Sequence, residues 1–308
     1  MERLQRKPYY ELESVEEARK MSLQSSLNLA GKYDFTGITE DIRIPSAAVK
    51  EGIRARVYRP EGLPSNPAIF VYYHGGGQTL GSIESHDVCC KSLADYCKTI
   101  MMSVEYRLAP EHKLPAQFED AECAATWALQ NKTTLGGTDL SSVGVGGDSA
   151  GGHISATVCH NVKGLAFQFL VYPHVDIRNQ FPAYDEYEEV PILDRKVIEW
   201  FVNHFKPDEP DAFTNPRYSP YQQPRFDHLP PALFIVAECD PLRDDSYEYA
   251  KKLSAAGVYN ELVLFKGALH AFFHVPGFYK ECCHKAYTAV AKFIKEQVYG
   301  ARKPTEKL

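Results

Sequence analysis

The chain has 308 residues, of which 44% are hydrophobic and 24% charged, a balance that is typical of a soluble globular protein and excludes a largely disordered one. Forty acidic residues against 34 basic ones give a formal net charge of −6, and because no run of lysine and arginine is interleaved with aromatics, nucleic acid is excluded as a partner. The first residues lack the apolar stretch of a signal peptide and the longest apolar runs are far too short to span a bilayer, so we expect no membrane anchor.

Short apolar strands are predicted to alternate with longer amphipathic helices. GIRARVYRP, residues 52–60, alternates apolar and polar side chains as a half-buried strand does, and DIRIP before it predicts an antiparallel neighbour. Six nearly continuous apolar runs predict strands buried on both faces, at residues 68–73, 99–104, 142–147, 167–173, 232–237 and 261–266. Helices are predicted at residues 85–97, 115–129, 244–257 and near 279–298. This order predicts one α/β domain over residues 1–308, with a mostly parallel sheet of about eight strands and helices on both faces.

Two segments fall outside this alternation and are predicted to form a helical cap, residues 1–45 and 177–228. The first contains a capping box from Ser14 to Glu17. The second is rich in proline and tyrosine and contains one amphipathic helix in LDRKVIEWFVNHF. Long insertions in compact α/β proteins are usually functional, so we expect the cap to lie over a binding site.

Five glycines surround one serine in GVGGDSAGGHIS, residues 144–155. Glycine loses more backbone entropy on folding than any other residue, so such a cluster needs a geometric reason. The glycines lie between an apolar run and a helical segment, which is the setting of the nucleophile elbow G-x-S-x-G, with side chains excluded at Gly147 and Gly151 by neighbouring backbone. A phosphate-binding loop is the alternative, but no lysine follows the glycines and the spacing G-x-G-x-x-G does not fit. The pattern therefore predicts that Ser149 is a nucleophile.

A serine nucleophile needs a general base, and the base needs an acidic group that fixes its tautomer. Asp240 and His270 each follow a predicted strand, in the chain order nucleophile, acid, histidine of α/β hydrolases. Both are expected at the carboxyl ends of strands, where open α/β sheets assemble their sites. His274 is the nearest competitor for the base. Asp244 and Asp245 are expected to cap the helix that they begin.

A second glycine cluster predicts an oxyanion hole. Gly75, Gly76 and Gly77 follow a buried strand in YYHGGGQTLGS and leave backbone N–H groups free to donate to a developing oxyanion. The N–H of Ala150 is expected to join them. A flexible surface turn is the alternative interpretation.

The substrate pocket is predicted from the residue beside the nucleophile and from aromatic residues of the long insertion. The candidates are Asp148, Tyr184, Tyr187, Trp200 and Phe201. Tyr9 and Tyr10 near the start of the chain are further candidates. The alternative is that these rings only hold the cap on the core.

The eight cysteines are expected to be reduced thiols. They include no C-x-x-C pair and have no secretory context, and free cysteines usually pack as small hydrophobic side chains. A cytoplasmic location follows as a prediction. No pattern of residues predicts a metal or a cofactor.

Five short motifs occur along the chain in a fixed order, HGGG at residues 74–77, YRLAPE at 106–111, GDSAGG at 147–152, DPLRD at 240–244 and HAF at 270–272. With these motifs the chain resembles the hormone-sensitive-lipase group of α/β hydrolases, which includes arylacetamide deacetylases and microbial short-chain esterases. The resemblance extends from about residue 50 to residue 295. It implies the triad Ser149, Asp240 and His270, a helical cap, and hydrolysis of short- to medium-chain acyl esters without a cofactor.

The sequence therefore predicts a serine carboxylesterase that acts on a small-molecule ester through an acyl-enzyme. Since His270 must be neutral to act as a base, activity is expected to rise as pH climbs through its titration. The same machinery allows cleavage of amides, lactones or carbamates, or acyl transfer to an alcohol. Gibberellin receptors show that this fold also supports a small-molecule receptor, a change accompanied by loss of the histidine that this chain retains. A homodimer is left open.

Overall fold

Eight strands form one sheet through the centre of the protein, which a computed structural model describes over residues 7–300. The strands are β1 (Gly37–Ile44), β2 (Ile53–Pro60), β3 (Ile69–Tyr73), β4 (Ile100–Val104), β5 (Val143–Asp148), β6 (Gln168–Val171), β7 (Ala232–Cys239) and β8 (Asn260–Leu269). Their order in the sheet is β1-β2-β4-β3-β5-β6-β7-β8. The strand β2 pairs antiparallel with β1 and β4, and all the other neighbours are parallel. The predicted mostly parallel sheet of about eight strands is confirmed.

Helices cover this sheet. Within residues 7–300 they are α1 (Val15–Ala30), α2 (Ile83–Cys97), α3 (Ala116–Gln130), α4 (Ala150–Asn161), α5 (Ala183–Glu186), α6 (Arg195–Phe205), α7 (Arg243–Ala255) and α8 (Lys280–Tyr299). The predicted helices are found within two residues of their expected bounds, and Pro115 is the N-cap of α3. The predicted cover of helices on both faces of the sheet is confirmed.

Successive side chains of β3 point to opposite faces of the sheet, and each set belongs to a different buried cluster. Ile69, Val71 and Tyr73 of β3 belong to one buried cluster, together with residues of α3, α4 and α7. Phe70 and Tyr72 point to the opposite face and pack in a second cluster with residues of α2 and α8. Because every residue of β3 is buried, its sequence is a continuous apolar run, as expected for a parallel strand covered on both sides.

The two edge strands differ from this pattern. The run 261–266 was expected to be buried on both faces, but Leu262, Val263 and Leu264 are only half-buried. The reason is that β8 pairs with β7 alone, so one side of the strand lacks a neighbour. At the other edge, residues 37–44 lie in the sheet as β1, so the first predicted cap segment, 1–45, ends before them.

The N-terminal helix α1 begins as its sequence indicates. The Ser14 hydroxyl accepts the N–H of Glu17 at 3.1 Å, as the predicted capping box requires. The Glu17 carboxylate accepts the N–H of Glu13, one residue before the expected partner. Two hydrogen bonds between side chains and main-chain N–H groups therefore hold the first turn of α1.

Arg19 ties α1 to the loops that follow β3 and β4. Its guanidinium donates to the carbonyl oxygens of Thr79 at 2.9 Å and Ala109 at 2.8 Å. Two further N–H groups donate to the Glu111 carboxylate at 2.7 and 2.6 Å. The Arg19 hydrogen bonds lower the pKa of Glu111 from 4.5 to about 2, against a smaller opposing effect of burial.

The insertion between β6 and β7 packs on the N-terminal segment through aromatic rings. The helix α6 buries its apolar face, including Phe201. Residue Tyr9 lies with its ring centroid 5.9 Å from that of Trp200 and 6.0 Å from that of Phe201. Two segments far apart in sequence thus share one apolar contact.

All eight cysteines are free, as expected. Four of them are buried, namely Cys89, Cys90, Cys159 and Cys283. Over the described range 7–300, no helix combines the length and the apolar character that crossing a bilayer requires.

We predict that Leu170→Ala destabilises the protein by about 2 to 5 kcal/mol, because Leu170 is fully buried in the inner strand β6 and the truncation leaves a cavity. Leu140→Ala is the matched control, since this side chain is 78% exposed and its loss should change stability by about 0.5 kcal/mol or less. Chemical denaturation of both variants measures the free energy of unfolding. Equal effects at the two leucines would contradict the packing described above.

The Arg19–Glu111 pair predicts a pH-dependent stability. Because folding lowers the pKa of Glu111 from 4.5 to about 2, the pair stabilises the protein above pH 4.5, and this contribution disappears as pH falls toward 2. Near neutral pH, Glu111→Gln should lower the melting temperature. For so exposed a carboxylate, the loss in the free energy of unfolding should be about 1 kcal/mol or less. The difference from wild type should shrink through the same acidic window. Glu16→Gln on α1 serves as control, and a pH-independent effect of Glu111→Gln would refute the assignment.

Candidate active site

Ser149 lies at the sharp turn between β5 and α4, with φ 55° and ψ −116°. A positive φ is strained for a residue with a side chain, and such strain is usually held by the surrounding structure. The imidazole of His270 follows β8, and the carboxylate of Asp240 follows β7. His270 Nε2 is 2.9 Å from Ser149 Oγ, and His270 Nδ1 is 2.7 Å from Asp240 Oδ2. The structure thus brings the three predicted residues into one hydrogen-bonded chain.

The glycines around Ser149 are required by close backbone packing. A Cβ atom at either Gly147 or Gly151 would overlap the carbonyl oxygen of Tyr73 on the neighbouring strand β3. At Gly152 a Cβ atom would press against Pro173. The predicted reason for these glycines, exclusion of side chains by neighbouring backbone, is confirmed.

Asp240 is positioned to orient His270. The carboxylate is fully buried, and its Oδ1 accepts the N–H of Leu242 at 2.8 Å, which leaves Oδ2 for the imidazole. The His270 ring packs on that of Tyr172 with centroids 4.5 Å apart. Because an ionised carboxylate only accepts, His270 carries its proton on Nδ1 and presents the lone pair of Nε2 to the Ser149 hydroxyl.

This arrangement suits removal of a proton from an alcohol. The imidazole accepts the Ser149 proton as the oxygen attacks an electrophile, and the adjacent carboxylate stabilises the imidazolium that forms. His274, the competitor considered for the base, instead lies near Asp148, with its Nδ1 3.8 Å from Oδ2 of that residue. The geometry therefore selects His270 as the partner of Ser149.

The glycine loop after β3 carries unpaired backbone donors. Among residues 7–300, no acceptor is found for the N–H groups of Gly76 and Gly77, whose φ angles are 118° and 58°. A Cβ atom at Gly76 would overlap the carbonyl oxygen of Leu80, so this turn also needs glycine. Ala150 is the first residue of α4, where helix N–H groups have no intrahelical partner. These three amides are therefore left to donate to a bound group.

Gly75 differs from the other two glycines. Its N–H donates to Asp148 Oδ1 at 3.0 Å and is therefore already occupied. The structure thus removes Gly75 from the predicted set of donors. Its hydrogen bond instead joins the glycine loop to the residue that precedes Ser149.

Asp148 was expected in the substrate pocket but is 2% exposed and lies beneath the glycine loop. Its Oδ1 also accepts the Tyr72 hydroxyl at 2.5 Å, and His86 lies on its other side. Burial raises the pKa of Asp148, but the charges of His86 and His274 and the Tyr72 hydroxyl outweigh it and hold that pKa well below its usual range. The partners of this buried carboxylate all lie within the protein, so Asp148 positions the loop.

Two of the predicted pocket tyrosines are engaged elsewhere. Tyr184 is buried in the core, and its hydroxyl donates to Asp245 Oδ2 at 3.1 Å. Tyr187 accepts a hydrogen bond from Arg243 at 3.2 Å, and its ring lies under that guanidinium. These contacts fix the insertion to the helix α7, which agrees with the alternative that the rings hold the cap on the core.

Asp244 and Asp245 do not cap α7 as expected. The Asp244 carboxylate accepts the N–H of Ala183 at 2.9 Å, and Asp245 accepts the N–H of Val175 at 2.9 Å. Both carboxylates are therefore used to hold the chain that enters the insertion. Burial raises the pKa of Asp245 well above its usual range.

Phe201 is the predicted pocket residue that reaches the glycine loop. A Cβ atom at Gly77 would overlap its ring, so the two are in direct contact. Trp200 is half-buried beside it, with its ring centroid 4.2 Å from that of His204. Of the aromatic candidates, Phe201 lies against the glycine loop, and the Trp200 ring packs beside it with centroids 5.2 Å apart.

A buried polar contact that the sequence analysis missed links the glycine loop to α4. Gln78 Nε2 lies 3.0 Å from His153 Nδ1, and His153 Nε2 lies 2.9 Å from the carbonyl oxygen of Tyr218. Burial lowers the pKa of His153 to about 3, so the ring is neutral and accepts from Gln78. The available signal was position, because Gln78 directly follows HGGG and His153 directly follows GDSAGG.

Comparison with known proteins gives a consistent set of relatives. A family model described as an alpha/beta hydrolase fold matches residues 70–274. The carboxylic ester hydrolase LipN of Mycobacterium tuberculosis is 37% identical over 244 residues, which cover 76% of this chain and 64% of LipN. The carboxylesterase NlhH of the same organism is 42% identical over 217 residues, 68% of each chain. The solved structure of an esterase from Pyrobaculum calidifontis has a TM-score of 0.86 and 36% identity, over 95% of both chains.

We predict that Gly151→Ala displaces Ser149, because the new Cβ atom cannot coexist with the Tyr73 carbonyl oxygen. The rate at which a fluorophosphonate labels Ser149 should fall by about 10²-fold or more. Stability should fall by at least about 2 kcal/mol. Gly62→Ala is the control, since a Cβ atom there meets open space and only a left-handed φ is strained. Unchanged labelling of Gly151→Ala would mean that the main chain accommodates a Cβ atom at this position and would contradict the prediction.

Proposed function

The chain belongs to the hormone-sensitive-lipase-like group of the alpha/beta hydrolase family and is a carboxylic ester hydrolase, and we propose that Ser149, His270 and Asp240 are its catalytic triad. The observation that carries the proposal is the unbroken hydrogen-bonded chain from the Asp240 carboxylate through the imidazole to the serine hydroxyl. Each residue is held in place by contacts of its own. The chain provides the base and the tautomer control that a serine nucleophile requires.

Ester hydrolysis proceeds in two steps in this proposal. Ser149 Oγ attacks the ester carbonyl carbon while His270 Nε2 takes its proton, and the resulting oxyanion accepts hydrogen bonds from the N–H groups of Gly76, Gly77 and Ala150. The imidazolium then protonates the leaving alcohol, and the acyl group remains on the serine. Water attacks this acyl-enzyme with the same base, which releases the acid and restores the hydroxyl.

The substrates are short- to medium-chain acyl esters of small molecules. Phe201 supports this choice, because its ring lies directly against Gly77 and limits the space next to the oxyanion donors. Tyr9 and Trp200 pack around that ring and extend the apolar surface. An apolar acyl group gains from burial against such rings.

The cap consists of the N-terminal segment before β1 and residues 177–228. Two observations support this assignment of the cap, the aromatic contact of Tyr9 with α6 and the four hydrogen bonds of Arg19.

The eight free thiols favour a reducing compartment, which is the basis for proposing the cytoplasm. Cleavage of amides, lactones or carbamates, acyl transfer and a homodimer stay predictions.

We predict that Ser149→Ala lowers the turnover of p-nitrophenyl acetate, butyrate and octanoate by about 10⁴-fold or more, because the nucleophile is lost and only binding and the oxyanion donors remain. Fluorophosphonate labelling of the protein should disappear at the same time. Ser155→Ala is the matched control, since Ser155 lies on the same helix and its hydroxyl only donates to the Gly151 carbonyl oxygen. Equal turnover by wild type and Ser149→Ala would place the active site elsewhere.

A further inference from the structure

The glycine loop after β3 is anchored at both of its ends. At the start of the loop, the Gly75 N–H donates to the Asp148 carboxylate at 3.0 Å. At the end of the loop, Gln78 is held both by its side chain and by its main chain. Gly76 and Gly77, whose N–H groups have no acceptor in the part of the chain that the structure describes, lie between these two anchors. The contacts of Gln78 therefore help to set the direction of both free amides.

The backbone of Gln78 is strained. Its φ is 57°, in the left-handed region that residues with a side chain rarely adopt. Such a conformation persists only where the surrounding contacts hold it. One of these contacts is a main-chain hydrogen bond, in which the Gln78 carbonyl oxygen accepts the N–H of Ala109 at 2.9 Å. The buried side chain supplies the other.

The direction of the side-chain hydrogen bond follows from its neighbours. His153 Nε2 lies 2.9 Å from the Tyr218 carbonyl oxygen, which can only accept, so the imidazole carries its proton on Nε2. Burial lowers the pKa of His153 to about 3, so the ring is neutral and Nδ1 is an acceptor. The amide of Gln78, with its Nε2 3.0 Å away, donates to it. Both side chains are buried, so water does not compete for this bond.

His153 is fixed relative to the nucleophile. It lies one turn into α4, and its N–H donates to the Ser149 carbonyl oxygen at 3.0 Å. The Phe118 ring meets the imidazole in a T-shaped contact with centroids 5.2 Å apart. Because Tyr218 belongs to the insertion, a residue of the proposed cap selects the tautomer of this imidazole. The glycine loop, the nucleophile helix and the insertion are thus joined at His153.

We propose that Gln78 and His153 are positioning residues for the ester hydrolysis described above. Their hydrogen bond holds the end of the glycine loop against α4, so that the N–H groups of Gly76 and Gly77 are directed at the same oxygen as that of Ala150. Oxyanion donors must lie about 2.7 to 3.1 Å from that oxygen, and a misplacement of about 1 Å can cost about 10²-fold in rate. This inference rests on the proposed triad and oxyanion donors.

Gln78→Met tests this role, because methionine has nearly the same length and cannot donate a hydrogen bond. We expect kcat for p-nitrophenyl butyrate to fall by about 10- to 100-fold, with KM changed by less than about threefold, since the transition state is affected more than the bound ester. An alkyl trifluoromethyl ketone forms a serine adduct that carries an oxyanion, so its Ki should rise by about the factor by which kcat falls. A merely structural role would lower the fraction of active protein and leave this Ki unchanged.

Gln168→Met is the matched control. Gln168 is fully buried, and its Nε2 donates to the Pro230 carbonyl oxygen at 3.1 Å. Its Oε1, like that of Gln78, has no partner within the described residues. Gln168 begins β6, at the end of the sheet opposite to Ser149. The same substitution there should leave both kcat and the Ki at their wild-type values.

Two substitutions of His153 separate its two hydrogen bonds. In His153→Asn, the side-chain oxygen replaces Nδ1 and still accepts from Gln78, whereas in His153→Gln the side-chain N–H replaces that of Nε2 and still donates to Tyr218. We expect kcat of His153→Asn to exceed that of His153→Gln by about fivefold or more, the effect of one hydrogen bond. This comparison decides the question if Gln78→Met does not fold.

Three results would overturn the proposal. Wild-type kcat and Ki in Gln78→Met would mean that the side chain only fills space. A lower kcat with an unchanged Ki would place the loss outside the oxyanion donors. Equal kcat values in His153→Asn and His153→Gln would exclude the hydrogen bond as the cause. Failure of the proposed function would look different, because Ser149→Ala would then keep its turnover.

Discussion

The carbonyl oxygen of Tyr73 occupies the space that a side chain at Gly147 or Gly151 would need, and the active-site geometry depends on this close approach of β3 to the elbow. Because β3 and β5 are parallel neighbours in the sheet, the glycine loop after β3 and the turn after β5 lie side by side. The tight turn holds Ser149 at a φ of 55°, and α4 begins at the next residue. A serine hydroxyl, a helix N-terminus and a row of free amides are thereby brought to one place by backbone packing alone.

Two buried aspartates at this end of the sheet have different duties. Asp240 uses one oxygen to bind a backbone amide and the other to orient an imidazole, so its charge lies where the proposed proton transfer needs it. Asp148 binds the Gly75 amide and the Tyr72 hydroxyl, so its charge supports the shape of a loop. Burying a carboxylate without partners is expensive, and in both cases the partners decide what the charge does. The carboxylate that ends β5 and the one that follows β7 thus have separate duties, the first in the shape of a loop and the second in the proposed catalysis.

Much of the fold could be predicted because it depends on local patterns. The period of two in β2, the continuous apolar runs of the inner strands and the glycines around Ser149 each report a local constraint, and each is found as expected. The partners of polar groups could not be predicted in this way. Gly75 lies 73 positions from Asp148, and Asp245 lies 70 positions from Val175, so nothing in either local sequence indicates that the two meet.

Edge position was the other property hidden from the sequence. The apolar run of β8 resembles those of the inner strands, yet the strand has a neighbour on one side only. Composition reports how apolar a strand is, whereas burial also depends on where the topology places it. The same limit applies to Tyr184, whose aromatic ring suggested a pocket and whose hydroxyl contact with Asp245 places it in the core.

The contacts of Arg19 have a consequence for how the protein evolves and can be engineered. Two of its acceptors, on Thr79 and Ala109, are main-chain oxygens, which every amino acid presents alike. Both side chains are nevertheless buried, and the Thr79 hydroxyl donates to the Gly77 carbonyl oxygen, so these two contacts survive only substitutions that keep the local packing. The other two hydrogen bonds need the Glu111 carboxylate, so a cap helix exchanged between homologues has to keep Arg19 together with Glu111 in the loop that receives it.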